Sequence, residues 1–292
     1  MKLNSSQQIT FSIDLEEWWS VESFSKLGLG IEQSAEYDRI SVGVKRILLL
    51  LEKYSATATF FVLGRVALKY PEIILLISEK GHEIGTHGFA HKLIYQQTPI
   101  EFENDLVRSI KILEKILGRA INSYRAPSYS ITKNSLWALE ILAKNGIKYD
   151  SSIVPTSNSR FGIRNAPSYP YKILLSESNS ELIEFPPTVI KIMGKFLPVS
   201  SGFAFRLFPT WIIKNLFIKL IQSGSLPMII MHNWEVDNDH PRVKAGLKGQ
   251  LIHYHNINKA ETKLEFFLQN FSLVPLPKDI NGLETLTISD LS

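Results

Sequence analysis

An alternation of short apolar runs and helical patterns constrains this chain more than any other feature. Strand-like runs fall at 8–13, 57–63, 81–84, 123–126, 148–150, 182–185 and 228–231. Helical patterns separate them. Ile40, Val44, Ile47, Leu48 and Leu51 make one buried stripe that ends at Tyr54. A helix over 71–80 stops at Gly81. Thr98-Pro99-Ile100-Glu101 offers a cap, a proline at the first helical position and an acid at the third. Phe102, Leu106, Ile110, Leu113 and Leu117 carry that helix to Gly118. Thr132 opens another through Lys144, and Gly146 ends it. Such βαβ spacing requires parallel strands joined by right-handed crossovers. The seven runs therefore predict an α/β fold, a parallel sheet or barrel with about seven strands, one short of the standard eight.

The totals exclude several classes. Charged residues are 21% and hydrophobic ones 45%, which is enough for a real core. The net charge is +4 with scattered cations, unlike the clustered basic face of a nucleic-acid binder. There is no cysteine, hence no disulfide, thiolate ligand or cysteine nucleophile. Met1 to Gln8 has no apolar signal region, and no run spans the ~20 apolar residues a bilayer needs. No linker or repeat divides the chain. Stretches 158–170 and 237–247 read as loops, and a further helix lies near 260–271.

Polar residues that could do chemistry follow strand ends. Gly85-Thr86-His87-Gly88-Phe89-Ala90-His91 holds two of seven histidines at i and i+4. In a helical turn that spacing puts both imidazoles on one face, where they could share a divalent cation. Asp14-Leu15-Glu16-Glu17-Trp18-Trp19 crowds three carboxylates beside two tryptophans, which read as a pocket wall. Arg125, Asp150 and His232 each follow another strand. In a parallel barrel these ends share one face. Singly, each has an ordinary structural reading; their joint placement lifts the functional one.

These motifs, in this order, resemble the NodB-homology polysaccharide deacetylases, carbohydrate esterase family four. The resemblance covers roughly 9–235 and runs through Asp14-Leu15-Glu16-Glu17-Trp18, His87-Gly88-Phe89-Ala90-His91, Arg125-Ala126-Pro127-Ser128-Tyr129 and Met231-His232. It looks closest to a branch found in bacterial exopolysaccharide loci, which His253-Tyr254 and Asn256 also resemble. The resemblance implies an irregular (β/α) barrel with about seven parallel strands, in a single catalytic domain over 1–292, with the barrel in 9–235 and 236–292 as an extension packing on it. It implies one divalent metal ion, zinc foremost, and hydrolysis of N-acetyl groups on an N-acetylated glycan or a lipid-linked glycan substrate. Asp14 would be the general base, His232 the proton donor to the amine, and Arg125 the partner that holds Asp14, with Asp150 orienting Arg125. The backbone N–H of Tyr129 would help stabilise the oxyanion. Tyr129, Pro127, Trp18 and Trp234 would meet substrate.

The family usually sets two aspartates side by side, whereas Leu15 follows Asp14 here. Side chains at i and i+2 of a strand share a face, so Glu16, with His87 and His91, is the expected metal set. A formamido sugar or a cyclic imide or ureide is the alternative amide, and a non-catalytic glycan-binding relative the third reading. The expected place is the cytoplasm, with the inner membrane face where lipid-linked glycan is met. Phe205 and Phe208, flanked by Arg206, Lys214 and Lys219, would touch anionic lipid there; the competing reading packs the helix after them on the barrel.

Overall fold

The computed structural model describes residues 7–21, 24, 38–158, 160–192, 195–244 and 246–292. Most of Met1 to Gln8, read above for a signal region, lies outside them. β1 (Gln8–Leu15) is buried at every position after the first and is flanked on both sides. Its neighbours are β10 (Met228–His232) and β2 (Thr59–Val62). The ladder continues through β3 (Glu83–Thr86), β4 (Ser123–Tyr124), β5 (Tyr149–Asp150) and β7 (Ser180–Glu184). These seven consecutive strands are parallel throughout, as the alternation predicts. The crossovers include α1 (Ile40–Lys53), α3 (Pro71–Glu79), α4 (Pro99–Leu117) and α5 (Trp137–Lys144). α4 starts with the expected capping box of Thr98 and Glu101 and ends on left-handed Gly118.

Alternation along β1 separates two interiors. Ile9, Phe11, Ile13 and Leu15 join the main core with the helices. Ser12 and Asp14 lie on the other face, in register with Thr59 and Phe61 on β2 and with Ile230 and His232 on β10. Phe61, Phe185, Met228 and Ile230 form a smaller core there. The ladder does not close by hydrogen bonds among the described residues. The free edge of β10 is covered instead: Met228 N donates to Thr188 Oγ1 (2.7 Å) and Ile230 N to the Ser200 carbonyl (2.8 Å).

Several elements have no counterpart in the pattern reading. β6 (Tyr171–Leu175) runs antiparallel to β7, and β12 (Glu284–Thr287) pairs with β6. β8 (Val189–Ile192) and β9 (Lys195–Pro198) form a separate hairpin. β11 (Ser272–Val274) pairs with the start of β1, so the chain after 236 adds strands to the main sheet. Gly64, the residue after the 57–63 run, opens the short α2 (Gly64–Lys69). The remaining helices are α6 (Gly202–Leu207), α7 (Thr210–Gln222), α8 (Gly246–Tyr254), α9 (Ala260–Asn270) and α10 (Ile288–Leu291).

The run around Phe205 corrects one expectation. Phe205 is fully buried against Phe267, and Phe208 is half-buried against the core. Arg206 is buried too, with Nε donating to Glu235 Oε2 at 2.7 Å. α6 carries these side chains inward, because Lys263 donates to the Phe205 and Phe208 carbonyls and clamps the helix onto α9.

Candidate active site

The two histidines do not sit on a helical turn, as their spacing suggested. They flank an irregular turn after β3 in which Gly88 (φ 74°) and His91 (φ 58°) are left-handed. Gly88 is needed twice over, since a Cβ there would lie 2.9 Å from Asp105 Oδ2. Asp105 on α4 holds the turn by accepting from Phe89 N (2.6 Å) and Ala90 N (3.3 Å). Gly64 N at the start of α2 donates to the Gly88 carbonyl at 2.8 Å.

Glu16, His87 and His91 each offer a ligand atom within 4.8 Å of the others. His87 Nδ1 lies 2.8 Å from the Arg125 carbonyl, an arrangement that makes it the donor and leaves Nε2 with a lone pair. Burial pushes the His87 imidazole down to about 4, against the charges of Asp14 and Glu16, so it is a neutral ligand. Burial alone would raise the Glu16 carboxyl, yet the close approach of His91, with the electrostatic influence of His232 and His87, holds it well below the usual carboxylate range. Glu16 Oε2 is 2.9 Å from His91 Nε2 but has no partner of good hydrogen-bond geometry. A buried carboxylate oxygen left this way beside two imidazoles fits a divalent cation between them. Glu16 is itself positioned by Asn233 Oδ1, which accepts from Glu16 N at 3.0 Å, and by Trp234 Nε1, 3.4 Å from Oε1.

Asp14 accepts from Arg125 NH1 at 2.8 Å, and both are buried. Deleting one partner of such a pair typically costs about 3–5 kcal/mol, so the pair holds its geometry firmly. Arg125 is oriented by Ser151: its Nε donates to the Ser151 carbonyl (3.2 Å) and NH2 to Ser151 Oγ (2.9 Å). Asp150, expected to orient Arg125, instead accepts from Ser151 N and Ser152 Oγ and lies beside Glu184. Burial raises Asp150 to about 6 and Glu184 well above its usual range, so this pair keeps a proton at neutral pH. Glu184 Oε1 also accepts from Ser152 N (3.0 Å) and Ile153 N (2.9 Å). The strand geometry explains the difference, because neighbouring residues point to opposite faces and only Ser151 reaches the guanidinium.

His232 lies beside Glu16, with Nε2 3.7 Å from Oε1. Its Nδ1 is 2.7 Å from Glu235 Oε1, and the other oxygen of Glu235 accepts from Arg206. Burial disfavours the His232 cation, but the Glu235 hydrogen bond and the charges of Glu16, Glu235 and Asp14 outweigh it and raise His232 to about 9. The pairing of Arg206 with Glu235 behind His232 escaped the sequence reading, which gave Arg206 only as a cation beside lipid. The signal was a glutamate three residues after His232; Arg206 had none.

A cavity of about 250 Å³ is lined by Tyr95, Ser128, Tyr129, Phe161, Pro187 and Ser201, among others, and meets these groups through Tyr129, whose ring centre lies 5.8 Å from the Arg125 guanidinium. Ser128 and Tyr129 are both left-handed, at φ 52° and 55°, which fixes Tyr129 on the cavity wall. Its hydroxyl is buried without a hydrogen-bond partner. Its backbone N–H, the expected oxyanion donor, donates instead to the Ala126 carbonyl at 3.0 Å. Pro127 is buried in the same turn. Trp18 and Trp234 are not cavity walls. They are 2% and 5% exposed and form a satellite core with Phe24 and Ile257. Trp234 stacks between His232 (4.9 Å) and His253 (4.2 Å). The aromatic wall comes from Tyr95, Tyr129 and Phe161, the first and last of which stand in no motif.

Known proteins are similar to this chain in sequence or in fold. Residues 36–149 match the family described as polysaccharide deacetylase, and residues 151–278 match a domain of unknown function, DUF3473. A peptidoglycan deacetylase of Helicobacter pylori is 30% identical over 44% of this chain and 43% of its own length. A chitooligosaccharide deacetylase of Azorhizobium caulinodans is 36% identical over 32% of this chain and 42% of its own. The chain thus spans less than half the length of these curated relatives. A candidate polysaccharide deacetylase of Mycobacterium smegmatis has the same fold, with TM-score 0.63 and 18% identity over 94% of this chain and 88% of that one. Puue allantoinase also shares it, with TM-score 0.61 and 14% identity over 92% and 87% of the two chains. Residues 36–149 are thus similar to polysaccharide deacetylases, and the chain as a whole shares the fold of the two solved structures.

Proposed function

We propose that this protein is a metal-dependent hydrolase that removes N-acetyl groups from amino sugars of a bacterial surface polysaccharide or its lipid-linked precursor. The observation that carries this reading is the convergence of three pieces on one barrel end. Glu16, His87 and His91 can hold a cation, Asp14 is fixed by Arg125, and His232 is backed by Glu235. In this reading 9–235 is the catalytic barrel and 236–292 the extension that braces it. The two-nitrogen, one-oxygen donor set with open positions suits zinc best. When bound, a divalent cation makes water more acidic and stabilises negative charge on a carbonyl oxygen.

The residues of the chain do the rest. Asp14 accepts a proton from the water that attacks the amide carbon. Arg125 keeps that carboxylate aimed. The C–N bond then breaks, acetate forms, and the departing amine takes its proton from His232, whose raised affinity keeps it loaded at neutral pH. Glu235 stabilises the imidazolium and Arg206 fixes Glu235. The Tyr129 hydroxyl, buried and unpartnered at the cavity wall, is a ready hydrogen-bond group for a sugar, and aromatic walls suit its ring faces. The test is acetate release from N-acetylglucosamine oligomers, peptidoglycan and a panel of formamido sugars and ureides. Acetate with a matching free amine supports the reading; turnover of only the other amides replaces it.

A further inference from the structure

One face of the molecule has no part in this chemistry. From 240 to 260 the chain carries Arg242, Lys244, Lys248 and Lys259 and no Asp or Glu. α8 lies within that stretch, and Leu247 and Leu251, one turn apart on it, are 90% and 57% exposed. Ile252 and, on α6, Leu207 are exposed as well. These two helix ends are tied together, because Arg206 donates to the carbonyls of Ile252 (2.9 Å), His253 (2.9 Å) and His255 (2.5 Å). Trp211, at the start of α7, is 65% exposed. Residues 185–234, which include α6 and α7, also contain no Asp or Glu.

We propose that this face docks on the surface of an anionic lipid bilayer. Large exposed apolar side chains on segments that carry exposed cations and no acidic residue match the boundary between anionic headgroups and acyl chains. A second copy of the same face fits poorly, since a two-fold contact would place Lys244 and Lys248 opposite like charges. Arg206 spans from α8 to Glu235, so the docked surface would stand directly behind His232. The inference does not depend on the reaction assigned above.

Vesicle sedimentation of the full chain tests it without any assay of activity. Wild type should pellet with phosphatidylcholine vesicles containing phosphatidylglycerol, and not with phosphatidylcholine alone. Leu247→Ser/Leu251→Ser and Lys244→Glu/Lys248→Glu should each weaken binding at least about tenfold while leaving the melting temperature unchanged, because all four side chains are exposed. Wild type that stays in the supernatant, or variants that pellet equally well, would overturn the proposal. So would a concentration-dependent dimer abolished by Leu247→Ser/Leu251→Ser, which would assign the face to a second copy.

Discussion

Asp14 on β1 and His232 on β10 are register partners across adjacent parallel strands, although they lie near opposite ends of the barrel sequence. The pairing places the proposed base and acid on one rim with the metal set, and no loop has to find its place for them to meet. Rigid strands suit this task, because a misplacement of about 1 Å can cost around 100-fold in rate.

The cation set predicts a loss of metal with either histidine. His87→Ala and His91→Ala should each lower bound zinc from about one per chain to well below that, measured by elemental analysis after dialysis. Asp105→Ala should weaken binding about tenfold or more through the turn it holds, since Phe89 N and Ala90 N would lose their acceptor. Full metal in both histidine variants would assign the cation elsewhere.

Glu235→Gln should move the alkaline limb of the rate profile to lower pH. His232 must be protonated to donate, so activity falls as pH rises through its raised value of about 9. Replacing the Glu235 carboxylate weakens the hydrogen bond that most strongly opposes burial, removes a favourable charge, and lowers that point. An alkaline limb unchanged from wild type would mean that His232 is not the acid.

The pair of Asp150 and Glu184 predicts a stability slope. Burial raises both carboxyls, Asp150 to about 6 and Glu184 well beyond its usual range. The unfolded chain gives up these protons near pH ~4, so above that the folded state binds more protons than the unfolded state. Stability should therefore fall with rising pH, by up to about 1.4 kcal/mol per unit for one group, until the folded carboxyl ionises. Glu184→Gln keeps acceptors for Ser152 N and Ile153 N and removes the titration. Urea melts at pH 5, 7 and 9 should show the variant gaining on wild type as pH rises; a constant gap contradicts the shared proton.

Gly43 predicts a packing failure that reaches the site. A Cβ there would sit 2.0 Å from the Asn233 carbonyl oxygen, so α1 touches the turn after His232 backbone to backbone. Gly43→Ala should cost about 1–3 kcal/mol by overpacking, and should raise metal dissociation because Asn233 also holds Glu16 N. Thermal melts with metal titrations check both parts.

What could be read beforehand followed the physics of local patterns. The seven parallel strands were legible because β1, β2 and β10 are apolar runs and the others fall in the gaps between helix stripes. β6 and β12 were not, since Lys172 and the exposed Leu174 break the apolar pattern of an edge pair. Glu16 was legible from two-residue strand periodicity. Trp18 and Trp234 misled, because a tryptophan beside carboxylates can be a sugar platform or a wedge behind the ligands, and only packing decides. Arg206 was illegible for a similar reason: a cation in a greasy run resembles a membrane edge until its buried partner Glu235 is seen.

The most direct measurement is acetate release from N-acetylglucosamine oligomers by zinc-loaded wild type and by Asp14→Asn matched in metal content. Asn keeps the shape of Asp14 and removes the base. Wild type should release acetate and free amine in equal amounts, and Asp14→Asn should be slower by about 10²–10⁴-fold. No acetate from wild type, or equal rates in the two proteins, would contradict the account.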